Sequence, residues 1–424
     1  MKFIHASDIH LDSPLRGLER YDGAPVEEIR GATRRACENL IRVAIDERVD
    51  FLLLAGDIYD GDWRDYNTGL FFARQLARLK EAGIPVFMVA GNHDAESRIS
   101  RVLQMPANVR LFGSAAAETA RLEDLGVAIH GQSFQTPSVT EDLSLGYPPA
   151  IPGFFNIGLL HTSLDGRPGH APYAPCRLDG LLTRGYDYWA LGHVHRYEVV
   201  AEDPWVVYAG NLQGRHVREP GAKGCVLVSV EDGRLRDLSH RSLDVLRWQQ
   251  AEVDLGDAET LTAVLERIEG ALEAALSGAD GRLLALRLRL GGRTLMHARL
   301  HAEQAWLVAE CRARALELGA GVLWLEQVRI ETRAPATPGV QGAAEDALGG
   351  LLAAIDTLEL DADRLSALSG EVADLAAKLP ADLMAEESGA RPTDLSQLPS
   401  ALEDVKALLV ERLLEGPSGT AGRG

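Results

Sequence analysis

The sequence predicts an α/β fold, a four-layer sandwich of two mixed β-sheets flanked by helices, followed by a small α+β domain and a helical tail. Three observations lead to this prediction. Strand-like and helix-like segments alternate at the start of the chain, which is typical of a parallel sheet covered by helices. From about residue 109, strand-like segments follow one another with few helices, which indicates a second sheet. After residue 245 the order becomes strand, helix, strand, helix, strand.

The first sheet is predicted from apolar runs that end at Gly or Asp, a pattern typical of buried strands. The runs are KFIHA, FLLLA and VFMVA, and helices are expected between them at 29–49 and 68–83. The second sheet is predicted from six later segments, namely VRLFGS, AIHGQSF, FNIGLLHTS, YDYWALGHVH, WVVYAGNL and GCVLVSVEDG. Two such sheets with helices outside them give the four layers.

Three domains are predicted, at 1–245, 246–335 and 336–424. In the second, a βαβαβ unit, we expect Asp257 to cap a helix over 257–276 and a single helix over 294–319. The third begins with a Pro- and Gly-rich linker and continues as an acidic helical tail. Its apolar stripes must be buried on something else, which makes the tail a candidate docking region for another protein.

Composition narrows the classes of function. The net charge of −19 argues against a protein that binds nucleic acid over its whole surface. Residues 340–424 hold 6 basic and 16 acidic side chains, so much of the negative charge lies in the tail, and a nucleic-acid groove in the first domain stays open. The four cysteines lack CxxC spacing and are expected to be free thiols. With no signal peptide or membrane-spanning stretch expected, we predict a cytoplasmic protein without membrane contact.

Five short motifs follow five of the predicted strands. They contribute oxygen and imidazole side chains, and ligands from neighbouring strand ends converge on one edge of an open α/β sheet. Each motif alone is weak, because Gly-Asp after a strand is usually a turn and a lone histidine is usually buried packing. Together they predict a metal-dependent hydrolase. The motifs are Asp8-x-His10, Gly56-Asp57, Gly91-Asn92-His93-Asp94, His161 and Gly192-His193-x-His195.

The motifs supply enough ligands for two divalent ions, with Asp57 as a bridge because a carboxylate has two oxygens. We expect one ion to be completed by Asp8, His10 and His195, and the other by Asn92, His161 and His193. Oxygen and nitrogen ligands without thiolate favour manganese, with iron, magnesium and zinc as alternatives.

Two further residues are candidates for the catalytic chemistry. His93, beside Asn92, is expected to act as general acid or transition-state stabiliser, and Asp60 to orient and charge its ring. A metal-activated hydroxide would then attack phosphorus in line. Three residues near a Gly-Asn turn are candidates for binding substrate phosphates, namely Arg215, His216 and Arg218.

The order DxH, GDxxD, GNHD, H and GHxH resembles the calcineurin-like metallophosphoesterase superfamily. Within it the chain is similar to SbcD-type DNA repair nucleases, above all to their YhaO-like branch, through FIHASDIHLDSPL, LLAGDIYD, LGHVH and YAGNLQGRHVRE. This resemblance implies the metallophosphoesterase fold and a DNA exonuclease subunit with a capping domain at 246–335. It also implies C-terminal helices that dock on an SMC-like coiled-coil ATPase, and a homodimer is a further candidate assembly. Some SbcD-type relatives have His where this chain has Asp60, which weakens an analogy to their endonuclease behaviour.

Two other functions stay open. One is hydrolysis of small phosphoesters, although the related phosphatases continue as GDxVDRG and GNHE where this chain has GDIYDGD and GNHD. The other is a scaffold subunit of an ATPase complex, in which the metal site only stabilises the fold. A scaffold has no need of His93, which favours an enzyme.

Overall fold

The structure is a computed structural model, and it describes residues 1–13, 24–60, 66–96, 105–166 and 173–335. In the first sheet, the four strands that come first in the chain are parallel to one another. The strand Gly224–Glu231 extends the sheet antiparallel to the strand Lys2–Ala6, and the strand Arg234–Ser242 pairs antiparallel with Gly224–Glu231 in turn. The alternation of strand and helix had predicted this parallel part. The six strands of this first sheet, in spatial order, are β12 (Arg234–Ser242), β11 (Gly224–Glu231), β1 (Lys2–Ala6), β2 (Phe51–Ala55), β3 (Val86–Val89) and β4 (Val109–Leu111).

The second sheet also has six strands and is mixed. Its four inner strands are parallel, and an antiparallel strand closes each edge. In spatial order the strands are β5 (Glu118–Leu122), β6 (Val127–Gly131), β7 (Phe155–His161), β8 (Tyr188–Gly192), β10 (Trp205–Tyr208) and β9 (Glu198–Glu202).

The residues of β2 show why the sheets form inner layers. Leu52 and Leu54 pack in a cluster with the helices, whereas Phe51 and Leu53 pack in a second cluster between the sheets. Side chains of a strand alternate between its faces, so a strand buried on both faces is apolar throughout. The ring of Phe3 stacks on Phe51 with centroids 4.9 Å apart. The predicted fold class, two mixed sheets flanked by helices, is confirmed.

The helices of this region are amphipathic or very short. The face of α2 (Ala32–Asp46) that packs on the first sheet carries Ala36, Leu40 and Ile41. The predicted helix over 29–49 is divided, because α1 ends at Arg30 and α2 begins after Gly31. The described helices here are α1 (Val26–Arg30), α2 (Ala32–Asp46), α3 (Tyr66–Glu81), α4 (Asn92–Glu96) and α5 (Leu178–Leu182).

The C-terminal described region has the predicted βαβαβ order, with two corrections. Helix α6 begins at Leu261, and the Thr260 hydroxyl accepts a hydrogen bond from the Ala263 N–H, so Thr260 and not Asp257 caps the helix. The single helix predicted over 294–319 is two helices that meet at Glu303. The elements are β13 (Leu246–Asp254), α6 (Leu261–Ser277), β14 (Leu283–Gly291), α7 (His297–Ala302), α8 (Gln304–Gly319) and β15 (Leu323–Ile330).

Packing divides the chain into two compact units. Among the described residues, the first comprises Met1–Ala251, Leu272–Arg287 and Arg314–Gln327, and the second comprises Glu252–Ala271, Leu288–Ala313 and residues 328–335. The domain boundaries at 245 and 335 stay predictions, and the predicted tail at 336–424 lies outside the described residues. The four cysteines are free and buried. In the described ranges, no helix has the length and apolar character needed to cross a membrane.

Candidate metal centre

The predicted ligands lie where strands of both sheets end. Asp8 follows β1 by two residues and Asp57 follows β2 by two residues, while Asn92 begins α4 shortly after β3. From the second sheet, His161 is the last residue of β7 and His193 comes directly after β8. The carboxyl ends of parallel strands share one edge, so side chains from distant parts of the chain meet there.

The backbone is constrained at four of these positions. The φ angles are 50° at Asp8, 45° at His10, 54° at Asp57 and 100° at His193, all in the region that favours glycine. Non-glycine residues adopt such angles in a small fraction of cases, in turns and at functional sites. Four of the seven predicted ligands thus share a backbone conformation that is uncommon for residues with a side chain.

One group of side chains comprises Asp8, His10 and His195. Their ligand atoms lie within 4.8 Å of one another. His195 Nε2 is 3.7 Å from Asp8 Oδ1 and 3.2 Å from His10 Nε2. Two backbone–carboxylate hydrogen bonds hold Asp8, because the His193 N–H lies 3.0 and 3.2 Å from its two oxygens.

A second group comprises Asp57, Asn92 and His161. His161 Nε2 lies 3.1 Å from Asn92 Oδ1 and 3.5 Å from Asp57 Oδ2. Asp57 Oδ2 is also 3.9 Å from His10 Nε2, so this carboxylate lies between the two groups, as expected of a bridge. The ring of His193, predicted as a ligand here, lies 5.2 Å from the His161 ring. The structure thus brings all seven predicted ligands to one place.

The chemistry of these atoms fits divalent cations. His161 Nδ1 lies 2.9 Å from the Ala55 carbonyl oxygen, which can only accept, so Nδ1 carries the proton and Nε2 has a lone pair. That lone pair faces Asn92 Oδ1 and Asp57 Oδ2, and Asp57 in its ionised form adds only acceptors to this set. A cation satisfies such a set, and oxygen and nitrogen donors of this kind bind divalent ions.

The pKa values reflect the same charge balance. Burial acts to raise the pKa of Asp8, but the charges of His195, His161 and His10 outweigh it and lower the pKa to about 2. The pKa of Asp57 is raised by burial and by the carboxylates of Asp94 and Asp8. Burial lowers the pKa of His10 to about 3. A histidine binds a metal ion in its neutral form, which the burial of His10 favours.

The two predicted catalytic residues lie beside this cluster. Asp60 Oδ1 is 3.2 Å from His93 Nδ1 and 3.4 Å from His10 Nδ1. The Ser13 hydroxyl donates to Asp60 Oδ2 at 2.6 Å, which fixes the carboxylate. The His93 side chain is 36% exposed, whereas His10 is buried, so His93 is the histidine that a substrate can reach. Its predicted role as general acid agrees with this position and stays a prediction.

Comparison with known proteins identifies the family. Residues 1–197 match the calcineurin-like phosphoesterase family model, and residues 248–333 match the model of the middle domain of metallophosphoesterase YhaO. A protein of Bacillus subtilis (strain 168), named uncharacterized metallophosphoesterase YhaO, is 39% identical over 273 residues, which are 63% of this chain and 67% of that protein. The chain belongs to the calcineurin-like metallophosphoesterases of the YhaO family.

Two further proteins are similar to parts of this metallophosphoesterase. The DNA double-strand break repair protein Mre11 of Methanopyrus kandleri is 28% identical over 212 residues, which cover 46% of this chain and 44% of Mre11. Among solved structures, a dimetal phosphatase from Danio rerio matches with a TM-score of 0.37 and 11% identity, over 57% of this chain and 96% of that one.

The three predicted substrate-binding residues of this metallophosphoesterase differ in position. The Arg215 side chain is only 14% exposed and pairs with Glu219 at 2.9 Å, so its charge is already matched. His216 is 44% exposed, and Arg218 is exposed. Substrate binding by these residues stays a prediction, and the geometry favours the two outer ones.

Sequence reasoning missed two buried carboxylates. Asp94, treated only as the end of GNHD, accepts backbone N–H groups from Ile58, Tyr59 and Gly91 and so fixes the loop that carries Asp57. Glu219 lies 2.7 Å from His195 Nδ1. The signal for Glu219 was present, since it ends the quoted stretch YAGNLQGRHVRE, but a glutamate in a polar loop is normally exposed.

Proposed function

We propose that this metallophosphoesterase hydrolyses phosphodiester bonds of DNA with two divalent ions, as an exonuclease-like repair subunit. The observation that carries the proposal is the meeting of seven O and N ligands beside a reachable His93. The similarity to Mre11, whose name describes a DNA double-strand break repair protein, supports DNA as the substrate. Manganese is the proposed metal, because the ligands are oxygen and nitrogen without thiolate.

When bound, the ions lower the pKa of a water molecule and neutralise the charge of the phosphate oxygens. The chain supplies the metal-ligating side chains and sets the distances between them. Asp57, which lies between the two groups, would contribute a carboxylate to holding the ions. The carboxylate of Asp8 is fixed by the His193 N–H, and the imidazole of His161 by the Ala55 carbonyl, so little rearrangement accompanies metal binding.

His93 would act on the leaving group. Hydrolysis breaks one phosphorus–oxygen ester bond, and the departing oxygen needs a proton. Asp60 Oδ1 faces His93 Nδ1 and favours a proton on that nitrogen. The other ring nitrogen, Nε2, could then donate its own proton to the leaving oxygen. Burial lowers the pKa of His93 while the charge of Asp60 acts to raise it, so Asp60 favours the protonated ring.

Arg218, which is exposed, and the partly exposed His216 are the proposed DNA contacts. His216 and Arg218 lie on the segment that also carries Glu219, the partner of His195. Phosphate contacts of this kind position a nucleic acid without reading its sequence. Replacing Arg218 by Ala should therefore weaken DNA binding about equally for different sequences and reduce its dependence on salt.

The deciding experiment compares substrates. Purified full-length protein with manganese is tested on linear double-stranded DNA, linear single-stranded DNA and bis(p-nitrophenyl) phosphate, with bound metal measured in the same samples. Cleavage of DNA that depends on manganese supports the proposal. Hydrolysis of the small diester alone would favour the small-phosphoester function, and two bound ions without any hydrolysis would favour a scaffold.

The tail is proposed as the docking region for an SMC-like coiled-coil ATPase. The proposal rests on the apolar stripes and the acidic charge of residues 336–424, which lie outside the described residues. A chain that ends at residue 335 should keep phosphodiesterase activity and lose association with the ATPase. Unchanged association would contradict the proposal. Sedimentation of the isolated chain would test the alternative of a homodimer.

A further inference from the structure

The carboxylate of Glu219 is the centre of a buried polar network. It is 6% exposed and receives N–H groups on both oxygens. Oε1 lies 2.7 Å from His195 Nδ1 and 2.9 Å from Arg215 Nη2. Oε2 lies 2.8 Å from the backbone N of Arg215 and 2.9 Å from Asn211 Nδ2. A buried carboxylate is costly unless it is paired and hydrogen-bonded, and this one is fully used.

The contact with His195 fixes the state of that ring. A carboxylate oxygen can only accept, so His195 Nδ1 carries the proton and Nε2 keeps its lone pair. Arg215 Nη2 is 3.3 Å from His195 Nδ1, but this guanidinium nitrogen donates its hydrogen bond to Glu219 Oε1. The lone pair of Nε2 is the one beside Asp8 and His10. The other tautomer would carry a proton into the ligand cluster.

We propose that Glu219, held by Arg215, is a positioning residue that keeps His195 in the tautomer and orientation needed to bind a metal ion. The inference rests on the metal site of the proposed function and does not depend on DNA as the substrate. It gives Arg215 a role other than substrate binding. The Arg215 guanidinium also lies 3.8 Å from Asp60 Oδ1. Arg215 therefore contacts both Glu219, which binds His195, and Asp60, which faces His93.

Substitution by glutamine should disturb this arrangement without changing its volume. Glu219 accepts N–H groups on both carboxylate oxygens, and a glutamine would turn its own NH₂ group toward the donors that face one of them. The loss of an outer hydrogen bond to a metal ligand costs about 10- to 100-fold in metal affinity. We therefore expect E219Q to bind one of its two ions about 10- to 100-fold more weakly.

The test uses full-length protein and manganese alone. Calorimetric titration gives the affinity of each ion, and circular dichroism of the metal-free protein checks folding. Glu231, a glutamate that is 72% exposed at the end of β11, provides the matched control E231Q, which should bind both ions as wild type does. Cobalt substitution adds a spectroscopic readout, because the visible bands of bound Co²⁺ should change in E219Q and not in E231Q.

Two outcomes overturn the proposal. One is wild-type affinity for both ions in folded E219Q. The second outcome concerns the double variant H195Q/E219Q. Because Glu219 is proposed to act through His195, adding E219Q to H195Q should not weaken metal binding further. A further loss of metal affinity in the double variant would contradict the proposal. If E219Q does not fold, R215Q takes its place, and unchanged affinity for both ions in R215Q overturns the proposal. Failure of wild type to cleave DNA would leave these binding results unaffected.

Discussion

His161 donates its Nδ1–H to the carbonyl oxygen of Ala55, over a distance of 2.9 Å. Ala55 ends β2 in the first sheet, and His161 ends β7 in the second. One hydrogen bond therefore joins the two sheets at the edge where the candidate ligands meet. The same bond leaves Nε2 of His161 as the acceptor that faces Asp57 and Asn92, so the packing of the sheets determines which nitrogen can bind metal.

Replacing His161 by Asn should remove one bound ion. Asparagine cannot reach both the Ala55 carbonyl and the Asp57–Asn92 pair, so the second group loses a ligand. Because even an outer hydrogen bond is worth about 10- to 100-fold in metal affinity, we expect a loss of at least that size for this ion. Elemental analysis and calorimetric titration measure it. His301→Gln on α7, an exposed histidine, is the control, and two ions bound equally by both variants would refute the assignment of His161.

Replacing His93 by Ala should leave metal binding unchanged and lower the rate of hydrolysis. His93 faces Asp60, and its ring does not take part in the contacts among Asp57, Asn92 and His161. A general acid contributes about 10²- to 10⁴-fold to a rate, which is the expected loss in kcat. Initial rates on DNA and on a small diester measure it, with metal content as the control. A variant with both ions and full activity would contradict a catalytic role.

Much of the architecture could be predicted because its signals are local. Apolar runs such as FLLLA mark strands that are buried on both faces, and each ends at Gly or Asp. The convergence of Asp8, Asp57 and His161 then followed from a general property of parallel sheets, whose carboxyl ends share an edge. The break at Gly31 and the cap at Thr260 were missed, because a helix end depends on one backbone angle or one hydroxyl bond.

The partners of the ligands could not be predicted from spacing. Glu219 lies 24 residues from His195, and Asp94 lies 36 residues from Ile58, whose N–H it accepts. Such bonds depend on the packing of whole strands and loops. The position of Glu219 at the end of YAGNLQGRHVRE marks it as part of a family-like stretch but does not show which residue it contacts. The burial of Glu219 is what distinguishes it from an exposed charge, and burial is a property of the folded chain.

Replacing Gly192 by Ala should destabilise the fold at the point where β8 passes β2. A Cβ atom on Gly192 would lie 1.9 Å from the Ala55 carbonyl oxygen, the same oxygen that His161 binds. We expect a loss of about 1–3 kcal/mol in the free energy of unfolding, because a backbone atom must move to make room. Urea unfolding measures it.

Gly180 in α5 is the matched control for this substitution, because a Cβ there meets nothing within 4 Å. G180A should be neutral or stabilising by about 0.5–1 kcal/mol, since alanine favours a helix over glycine. Equal stability of G192A and wild type would show that the strands can separate without cost, which would contradict a tight approach of β8 to β2.

Acid should destabilise the protein partly through His5, a buried histidine that joins the two sheets. Its Nε2 donates to the Leu191 carbonyl at 3.1 Å, and its Nδ1 accepts from the Tyr188 hydroxyl at 3.0 Å. Burial lowers the pKa of His5 to about 3, against 6.5 in an unfolded chain. Below pH 6.5, His5 is therefore protonated in the unfolded chain but stays neutral in the folded protein. The free energy of unfolding decreases as the pH falls from 6.5 toward 3.

The size of this effect can be tested with a variant that does not titrate. At pH 5 the loss from His5 should be about 2 kcal/mol relative to pH 7, because each pKa unit is worth about 1.4 kcal/mol. Glutamine at position 5 can still donate to the Leu191 carbonyl and has no charge to gain. Urea unfolding with a chelator present should show a smaller decrease from pH 7 to pH 5 in H5Q than in wild type, whatever the stability of H5Q at pH 7. Other buried histidines, such as His10, contribute equally to both proteins. Parallel pH profiles of the two would therefore show that His5 is not a source of the acid sensitivity.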